Sequence, residues 1–305
     1  MKKIIVTGST SMIGQALIEA ALEAGCTVCA VVRENCTRLD RLPEHENLQR
    51  VVCNLEEMDR LPEKIDGSWD VFYHIAWGNT GTARNKSVVL QSNNIDYTLK
   101  TVKAAKELGC RKFIGAGSQA EYGPLNLDRI GPDTPEHPTT PYGAAKLASA
   151  QLSKMYCEEL GMAWNWPRIF SVYGFYEKDC MMVKSAFRDF GNGESGAFTP
   201  AEQMWDYLYA KDAGRAFYLI GEKGKNGAIY CIGSGQCRPL REYILAIRDL
   251  VAPGLEPGIG KMSYQPNPVM RLCADITSLC EDTGFRPQVS FEEGIREMYE
   301  MEKRK

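Results

Sequence analysis

Short apolar runs alternate with longer amphipathic segments through the first half of the chain. The apolar runs predict strands at residues 3–7, 27–32, 49–53, 71–75, 112–115 and 163–169. The segments between them follow a 3.6-residue period and predict helices at residues 14–24, 88–108 and 142–160. Because strands that alternate with helices form βαβ units, we expect an α/β fold. Its doubly wound parallel sheet would have its ligand crevice at the carboxyl ends of the strands.

The second half of the chain does not continue this alternation of strand and helix patterns. Residues 228–232 predict one more strand, which we expect to rejoin the main sheet, and residues 239–251 predict a helix. Ser290, with Glu293 three residues later, forms a capping box that predicts a terminal helix. We therefore predict a nucleotide-binding domain and a smaller, interleaved C-terminal substrate lobe. The first takes residues 1–170, with 202–237 returning to it, and the second takes residues 171–201 and 238–305.

Charge, apolar content and cysteine use limit the class of protein. The chain has 305 residues, and 44% of them are apolar, which is enough for a sizeable core. Its net charge of −3 argues against binding to nucleic acid or to an anionic membrane. No apolar run approaches the ~18 residues of a membrane span, and the N-terminus lacks a signal-peptide pattern. The single CxxC, Cys26 to Cys29, lies within an apolar strand pattern. We therefore expect reduced thiols in the core, no metal site and a cytoplasmic protein.

The first strand is followed by a turn that suits a dinucleotide. Gly8 permits a tight turn, and Gly14 permits close packing of the next helix, whose N-terminus offers N–H groups to a pyrophosphate. The middle glycine of the usual three-glycine fingerprint is Ser11 here. The sequence predicts a Rossmann cofactor site formed by Gly8, Ser9, Thr10, Ser11, Met12, Ile13 and Gly14.

The end of the second strand selects between the two nicotinamide cofactors. A carboxylate there accepts hydrogen bonds from the ribose of NAD, whereas an arginine pairs with the 2′-phosphate of NADP. Arg33, with Arg38 close behind, therefore favours NADP, and NAD is the alternative if these arginines only form a solvated turn. After the third strand, Asn54 and Leu55 are candidates for contact with the adenine.

A tyrosine and a lysine four residues apart carry the candidate chemistry. Helical spacing places Tyr142 and Lys146 on one face, about one turn apart. A phenol with a normal pKa near ~10 is a poor acid or base at neutral pH. We expect the neighbouring ammonium to lower the pKa of Tyr142. Such a pair suits proton transfer to or from a sugar or alcohol oxygen.

Three further segments join these motifs: His74-Ile75-Ala76-Trp77, Gly117 to Gly123 and Pro167 to Gly174. In this order the set resembles the extended short-chain dehydrogenase/reductase family, and within it the nucleotide-sugar epimerase/dehydratase group. The resemblance implies that Ser118 hydrogen-bonds the reacting oxygen, Tyr142 transfers the proton and Lys146 holds the nicotinamide ribose. It implies cofactor contacts from Ile75, Ala76, Trp77, Asn94 and Phe170. It also implies substrate contacts from Ser118, Gln119, Ser171, Trp205 and Arg271, and a homodimer built on the long helices at 88–108 and 142–160.

The resemblance leaves several reactions open. Dehydratases of this group carry an Asp-Glu pair where this chain has Gln119 and Ala120, which cannot act as general acid or base, so dehydration is disfavoured. Arg33 and residues 202–207 favour NADPH-dependent reduction of a 4-keto-6-deoxy sugar nucleotide, with an NAD-dependent 4-epimerase as the alternative.

Two departures from the family pattern affect the substrate. Trp205 replaces an Arg that grips the substrate diphosphate, and Ser171 replaces an Asn that contacts substrate. Arg271, Lys184 and Arg188 are candidates to supply the missing charge, and each is equally interpretable as a surface cation. A reductase of a non-sugar ketone and a non-catalytic NADP sensor therefore stay open.

Overall fold

A parallel sheet forms the centre of the computed structural model, which describes residues 1–81, 84–266 and 268–304. Within these ranges the sheet has eight strands, which confirms the predicted doubly wound fold. Their spatial order is β3 Leu48–Val52, β2 Thr27–Val32, β1 Lys3–Thr7, β4 Val71–His74, β5 Lys112–Gly115, β7 Ala163–Ile169 and β11 Ile229–Ile232, with the short β6 Gly117–Ser118 paired to β7. The strand predicted at 228–232 thus joins the main sheet, as expected.

Helices cover both faces of the sheet. On one face lie α1 Met12–Glu23 and α5 Ala210–Lys223, and on the other lie α2 Val88–Glu107 and α3 Pro141–Glu159. Alternation along β1 separates the two cores, because Ile4 and Val6 face the first pair of helices and Ile5 faces the second. Because helices cover both faces of the sheet, a ligand can approach it only at the ends of the strands. In folds of this kind it binds at their carboxyl ends.

The remaining elements pack around an aromatic core beside those carboxyl ends. This core is formed by Tyr173, Tyr207, Tyr243 and Phe291. Two small sheets support it, one pairing β8 Ser171–Tyr173 with β10 Tyr207–Tyr209, the other placing β9 Met204–Trp205 between β12 Arg238–Pro239 and β13 Arg271–Leu272. The helices of this part are α4 Met182–Gly191, α6 Leu240–Val251 and α8 Phe291–Lys303, whereas α7 Thr277–Thr283 packs on the same face of the main sheet as α1 and α5. The division of the chain into two domains stays a prediction.

The predicted start of the terminal helix is confirmed by its hydrogen bonds. The hydroxyl of Ser290 accepts from the backbone N–H of Glu293, and the carboxylate of Glu293 accepts from the backbone N–H of Ser290. Among the residues that the structure describes, none of the helices combines the length and apolar character that crossing a membrane requires.

The expectation that every thiol is reduced is wrong for one pair. Cys237 and Cys273 form a disulfide, because β12 and β13 flank β9 and bring residues 36 apart in sequence together. The CxxC cysteines do lie in the core, and burial raises the pKa of Cys29 to about 12. That thiol is therefore inert at neutral pH.

Candidate active site

The turn between β1 and α1 forms a cradle for a phosphate group. Gly8 has a φ of +66°, and a Cβ there would lie 2.7 Å from the backbone nitrogen of Ala76. A Cβ at Gly14 would lie 2.2 Å from the carbonyl oxygen of Gly8. Ser11 caps α1 by accepting from the backbone N–H of Gly14, which leaves other N–H groups of the first turn facing outward. The two glycines and the helix N-terminus fit the pyrophosphate of a dinucleotide.

The neighbouring residues of this turn are held in place by the fold. The buried hydroxyl of Ser9 donates to the carbonyl of Val31, and Thr10 lies 3.6 Å from the sulfur of Cys36. Met12 and Ile13 begin the helix, and Ile13 lines the cavity described below. The turn therefore connects the carboxyl end of β1 to the cavity.

The ends of β2 and β3 lie side by side. Arg33 and Arg38 are exposed, and neither has an ion-pair or hydrogen-bond partner for its guanidinium among the described residues. Asn54 accepts from the backbone N–H of Glu34 with its side-chain oxygen at 3.0 Å, so it ties the two strand ends together. Leu55 begins the 3-10 helix that follows. Two uncommitted guanidinium groups at the end of β2 suit an additional phosphate.

The loop after β4 is anchored from two directions. Thr7 contacts the buried ring of His74 at 3.0 Å and accepts from the backbone N–H of Ala76. Burial lowers the pKa of His74 to about 3, so its imidazole is neutral. Asn94 accepts from the N–H of Gly78 at 2.6 Å and donates to backbone carbonyls of its own helix. Asn94 is a clamp for the loop that carries Ile75, Ala76 and Trp77.

A cavity of about 690 Å³ opens at the carboxyl ends of the strands. It brings together Ser118, Gln119 and Tyr142 with Phe170 and Ile13, which lies at the cofactor turn. Two aromatic rings, those of Trp205 and Tyr207, line its far side. The candidate proton-transfer groups and the candidate cofactor turn therefore adjoin one cavity large enough for a small-molecule substrate.

The pKa of Tyr142 departs from the expectation. Burial raises it above the ordinary value, and the charge of Arg84 and the hydroxyl of Ser118 only partly oppose this. Lys146 does not lower the pKa of Tyr142 as expected, because its charge is directed elsewhere. Its Nζ donates to the carbonyl of Ala116 at 2.5 Å and lies 3.7 Å from the centre of the Trp77 ring. Burial lowers the pKa of Lys146, and the charge of the Glu121 carboxylate only partly opposes this.

Ser118 is held by the buried carboxylate of Glu121. Glu121 accepts from the backbone N–H of Ser118 at 2.8 Å and from the indole N–H of Trp166 at 3.0 Å. Its second oxygen accepts from Arg168 at 2.7 Å, and Arg168 also donates to Glu136 at 2.6 Å. Glu121 and Arg168 are both fully buried. The network fixes the turn that presents Ser118 to the cavity.

The two departures from the family pattern meet in the structure. The indole N–H of Trp205 donates to the hydroxyl of Ser171 at 2.8 Å, and both residues line the cavity. The backbone carbonyl of Trp205 accepts from the hydroxyl of Tyr243 at 2.9 Å, which holds the backbone of Trp205 in place. At this position the cavity therefore offers an aromatic surface instead of a guanidinium.

Arg271 is not among the described residues that line the cavity, so its predicted substrate contact stays a prediction that the structure does not support. Residues along a strand alternate in direction, and on β13 it is Leu272 that lines the cavity. Arg271 points the other way and pairs with the exposed Asp128 at 2.7 Å. Lys184 pairs with Glu302, and Arg188 pairs with Asp189, so these alternatives are also committed elsewhere.

Two charged residues in the cavity were missed from the sequence. Among the described residues that line the cavity, Arg84 is the one basic residue and Glu177 is the one acidic residue. Burial raises the pKa of Glu177 to about 8, and its Oε2 has no hydrogen-bond partner among the described residues. Both residues follow strands at their carboxyl ends, which was the available signal. In the described parts of the chain, no cluster of three His, Cys, Asp or Glu residues could hold a metal ion.

Comparison with known proteins places this site in a family. The sequence model of the NAD dependent epimerase/dehydratase family matches residues 4–233. CDP-abequose synthase of Salmonella muenchen is 24% identical over 312 residues, covering 98% of each chain.

Solved structures of similar shape span the whole chain. A UDP-N-acetylglucosamine 4-epimerase from Methanobrevibacter ruminantium, in complex with UDP-N-acetylmuramic acid, has a TM-score of 0.87 and 23% identity. The alignment covers 100% of this chain and 99% of that one. RMD from Pseudomonas aeruginosa, complexed with NADPH, has a TM-score of 0.82 and 22% identity, with 100% of both chains covered. The family match covers most of the chain and the fold agrees over its full length, so the protein is an enzyme that belongs to the NAD dependent epimerase/dehydratase family.

Proposed function

We propose that this enzyme uses NADPH to reduce a 4-keto-6-deoxy sugar nucleotide. The observation that carries the proposal is a single cavity that joins Ser118 and Tyr142 to the glycine turn after β1. The uncommitted guanidinium groups of Arg33 and Arg38 at the end of β2 add support for the 2′-phosphate of NADP.

Each residue of the site has a defined task in such a reduction. The nicotinamide of the cofactor, when bound, supplies the hydride. Ser118 donates a hydrogen bond to the substrate carbonyl oxygen, and Tyr142 delivers the proton to that oxygen as charge develops on it. In this proposal Lys146, one turn along α3 from Tyr142, donates to the nicotinamide ribose.

An NAD-dependent 4-epimerase is the second candidate. Its support is the epimerase from Methanobrevibacter ruminantium, whose fold matches nearly the full length of this chain. Epimerisation needs room for the keto intermediate to turn over, and the 690 Å³ cavity supplies it. The two candidates differ in net redox change, because an epimerase returns the hydride that it removes.

Other reactions have less support. A dehydratase needs a general acid and base where this chain has Gln119 and Ala120, and neither side chain can transfer a proton. A pure NADP sensor has no need for a serine and a tyrosine that share a cavity. Reduction of a non-sugar ketone is favoured only by the Trp205–Ser171 pair, because by the family resemblance Trp205 stands in place of a phosphate-binding arginine and Ser171 in place of an asparagine.

Location and assembly remain proposals. We infer a cytoplasmic enzyme, in which the buried thiols stay reduced and Cys237 and Cys273 form a disulfide. We also infer a homodimer through α2 and α3, where Leu152 and Met155 are exposed. Sedimentation that shows only monomer would remove the second inference.

The function is tested by identifying the bound cofactor and then the substrate. Protein purified without added nucleotide is denatured, and any released cofactor is identified by mass spectrometry. A panel of nucleotide sugars and 4-keto nucleotide sugars is then incubated with NADPH or NADH. The proposal predicts NADPH-dependent conversion of a 4-keto substrate, and a tightly bound NAD that never exchanges would overturn it in favour of epimerisation.

A further inference from the structure

Arg84 lies against the candidate proton-transfer tyrosine. Its guanidinium carbon is 3.9 Å from the centre of the Tyr142 ring, which is a close cation–π contact. Both residues line the cavity with Ser118. The Nε of Arg84 is shielded from solvent and has no hydrogen-bond partner among the described residues. A buried donor without a partner is costly, so its position beside Tyr142 calls for a physical reason.

Lys146 lies farther from the Tyr142 ring than Arg84 does. Its Nζ is 6.0 Å from the Tyr142 ring centre, compared with 3.7 Å from that of Trp77. It donates to the carbonyl of Ala116, and burial lowers its pKa and so disfavours its charged form. A guanidinium keeps its charge at every pH at which a protein is folded.

The other groups that face Tyr142 do not supply a positive charge. Ser118, on β6, contributes a neutral hydroxyl, and Glu121, in the next turn, contributes a carboxylate already paired with Arg168. Behind Lys146, His74 on β4 adds no charge, because burial lowers its pKa to about 3. The indole of Trp77 meets the Tyr142 ring edge-on, with 5.9 Å between the ring centres.

We propose that Arg84 is a positioning residue that holds the Tyr142 ring and stabilises its ionised form. The proposal rests on the proposed function, in which Tyr142 transfers the proton. In that reaction Tyr142 becomes a phenolate as the substrate oxygen is protonated, so a fixed cation over its ring favours the transfer. Lys146 is then left to bind the cofactor.

The direct test follows the ionisation of Tyr142 without substrate or cofactor. The protein is labelled with ¹³Cζ-tyrosine, and the Tyr142 signal is assigned with the Tyr142→Phe variant. Arg84→Met removes the cation and keeps the length of the side chain. Lys86→Met is the matched control, because it removes one exposed positive charge from the same loop. Arg84→Lys tests rescue by a conservative cation.

We expect Arg84→Met to reduce the phenolate fraction of Tyr142 about tenfold at a given alkaline pH. Lys86→Met should leave the titration unchanged, and Arg84→Lys should restore part of it. Far-ultraviolet circular dichroism of each variant shows that the fold is kept. If Arg84→Met does not fold, the comparison of Arg84→Lys with wild type decides the question, since a mobile ammonium should stabilise the phenolate less.

The proposal is overturned if the curves for the Arg84 variant and the wild type coincide. It also fails if Tyr142 shows no ionisation in the wild type below the pH at which the fold is lost. Because the titration involves no substrate, its outcome is independent of whether the reductase assignment holds. Where a substrate is known, the same variant should move the pH profile of kcat to higher pH, with little change in KM.

Discussion

Replacing Glu121 with glutamine should destabilise the protein far more than its small change in size suggests. The carboxylate accepts on both oxygens: one from Ser118 and Trp166, the other from Arg168. A glutamine has one acceptor oxygen and an NH₂ group that can only donate. In either orientation the variant therefore sets a donor against a donor, and it leaves the buried charge of Arg168 with Glu136 as its sole carboxylate partner.

The size of the effect follows from burial. Glu121 and Arg168 are both 0% exposed, and loss of one partner from a buried ion pair costs about 3–5 kcal/mol. Glu136→Gln is the matched control, because the Glu136 side chain is 31% exposed and Arg168 keeps Glu121. That control should cost about 1–2 kcal/mol.

Chemical denaturation followed by circular dichroism measures both variants. We expect the Glu121→Gln free energy of unfolding to fall at least about 2 kcal/mol below that of Glu136→Gln. The double variant Glu121→Gln/Arg168→Met should lose less than the sum of the two single losses, because it removes both buried charges. Equal stability of the two glutamine variants, within about 0.5 kcal/mol, would refute the reasoning.

Three further predictions follow from the site. Tyr142→Phe should lower kcat about 10²- to 10⁴-fold while cofactor affinity, measured by fluorescence, stays the same, and unchanged turnover would contradict its role. Arg33→Asp should reduce the ratio of kcat/KM for NADPH to that for NADH at least about tenfold, and an unchanged ratio would show that Arg33 does not contact the cofactor. Burial raises the pKa of Glu177 to about 8 in the folded protein, so its contribution to stability is present at pH 4 and is lost as the pH rises through 8. Glu177→Gln should therefore match the wild type near pH 4 and be more stable by about 1–3 kcal/mol at pH 9 in denaturant titrations, and equal pH dependence would contradict this.

Much of the sheet and part of the site followed from local sequence pattern. Strand lengths and helical periods are local properties, and the turn from Gly8 to Gly14 is set by residues close in sequence. The helix α5 was not predicted, and Gly214 in its middle gives the reason. A Cβ at Gly214 would lie 2.3 Å from the backbone of Ala16, so this glycine serves the packing of α5 on α1 despite its poor helix propensity.

Side-chain partners that depend on tertiary structure could not be predicted. Arg84 and Tyr142 are 58 residues apart in sequence and meet only in the folded chain, so no local spacing predicts their contact. The pairing of Cys237 with Cys273 depends on two strands that flank a third. Lys146 was assigned to Tyr142 from helical spacing alone, whereas Trp77 and Ala116 supply its closest contacts. Spacing predicts which groups share a face, and burial decides what they contact.

The most direct test of the central claim is the fate of the hydride in a single turnover. The enzyme is mixed with a 4-keto-6-deoxy sugar nucleotide and NADPH that carries deuterium at the transferred position, and both products are analysed by mass spectrometry. The account predicts one deuterium on the sugar carbon and an equal amount of oxidised cofactor in solution. An isomerised sugar without deuterium, formed with no net oxidation of NADPH, would contradict it.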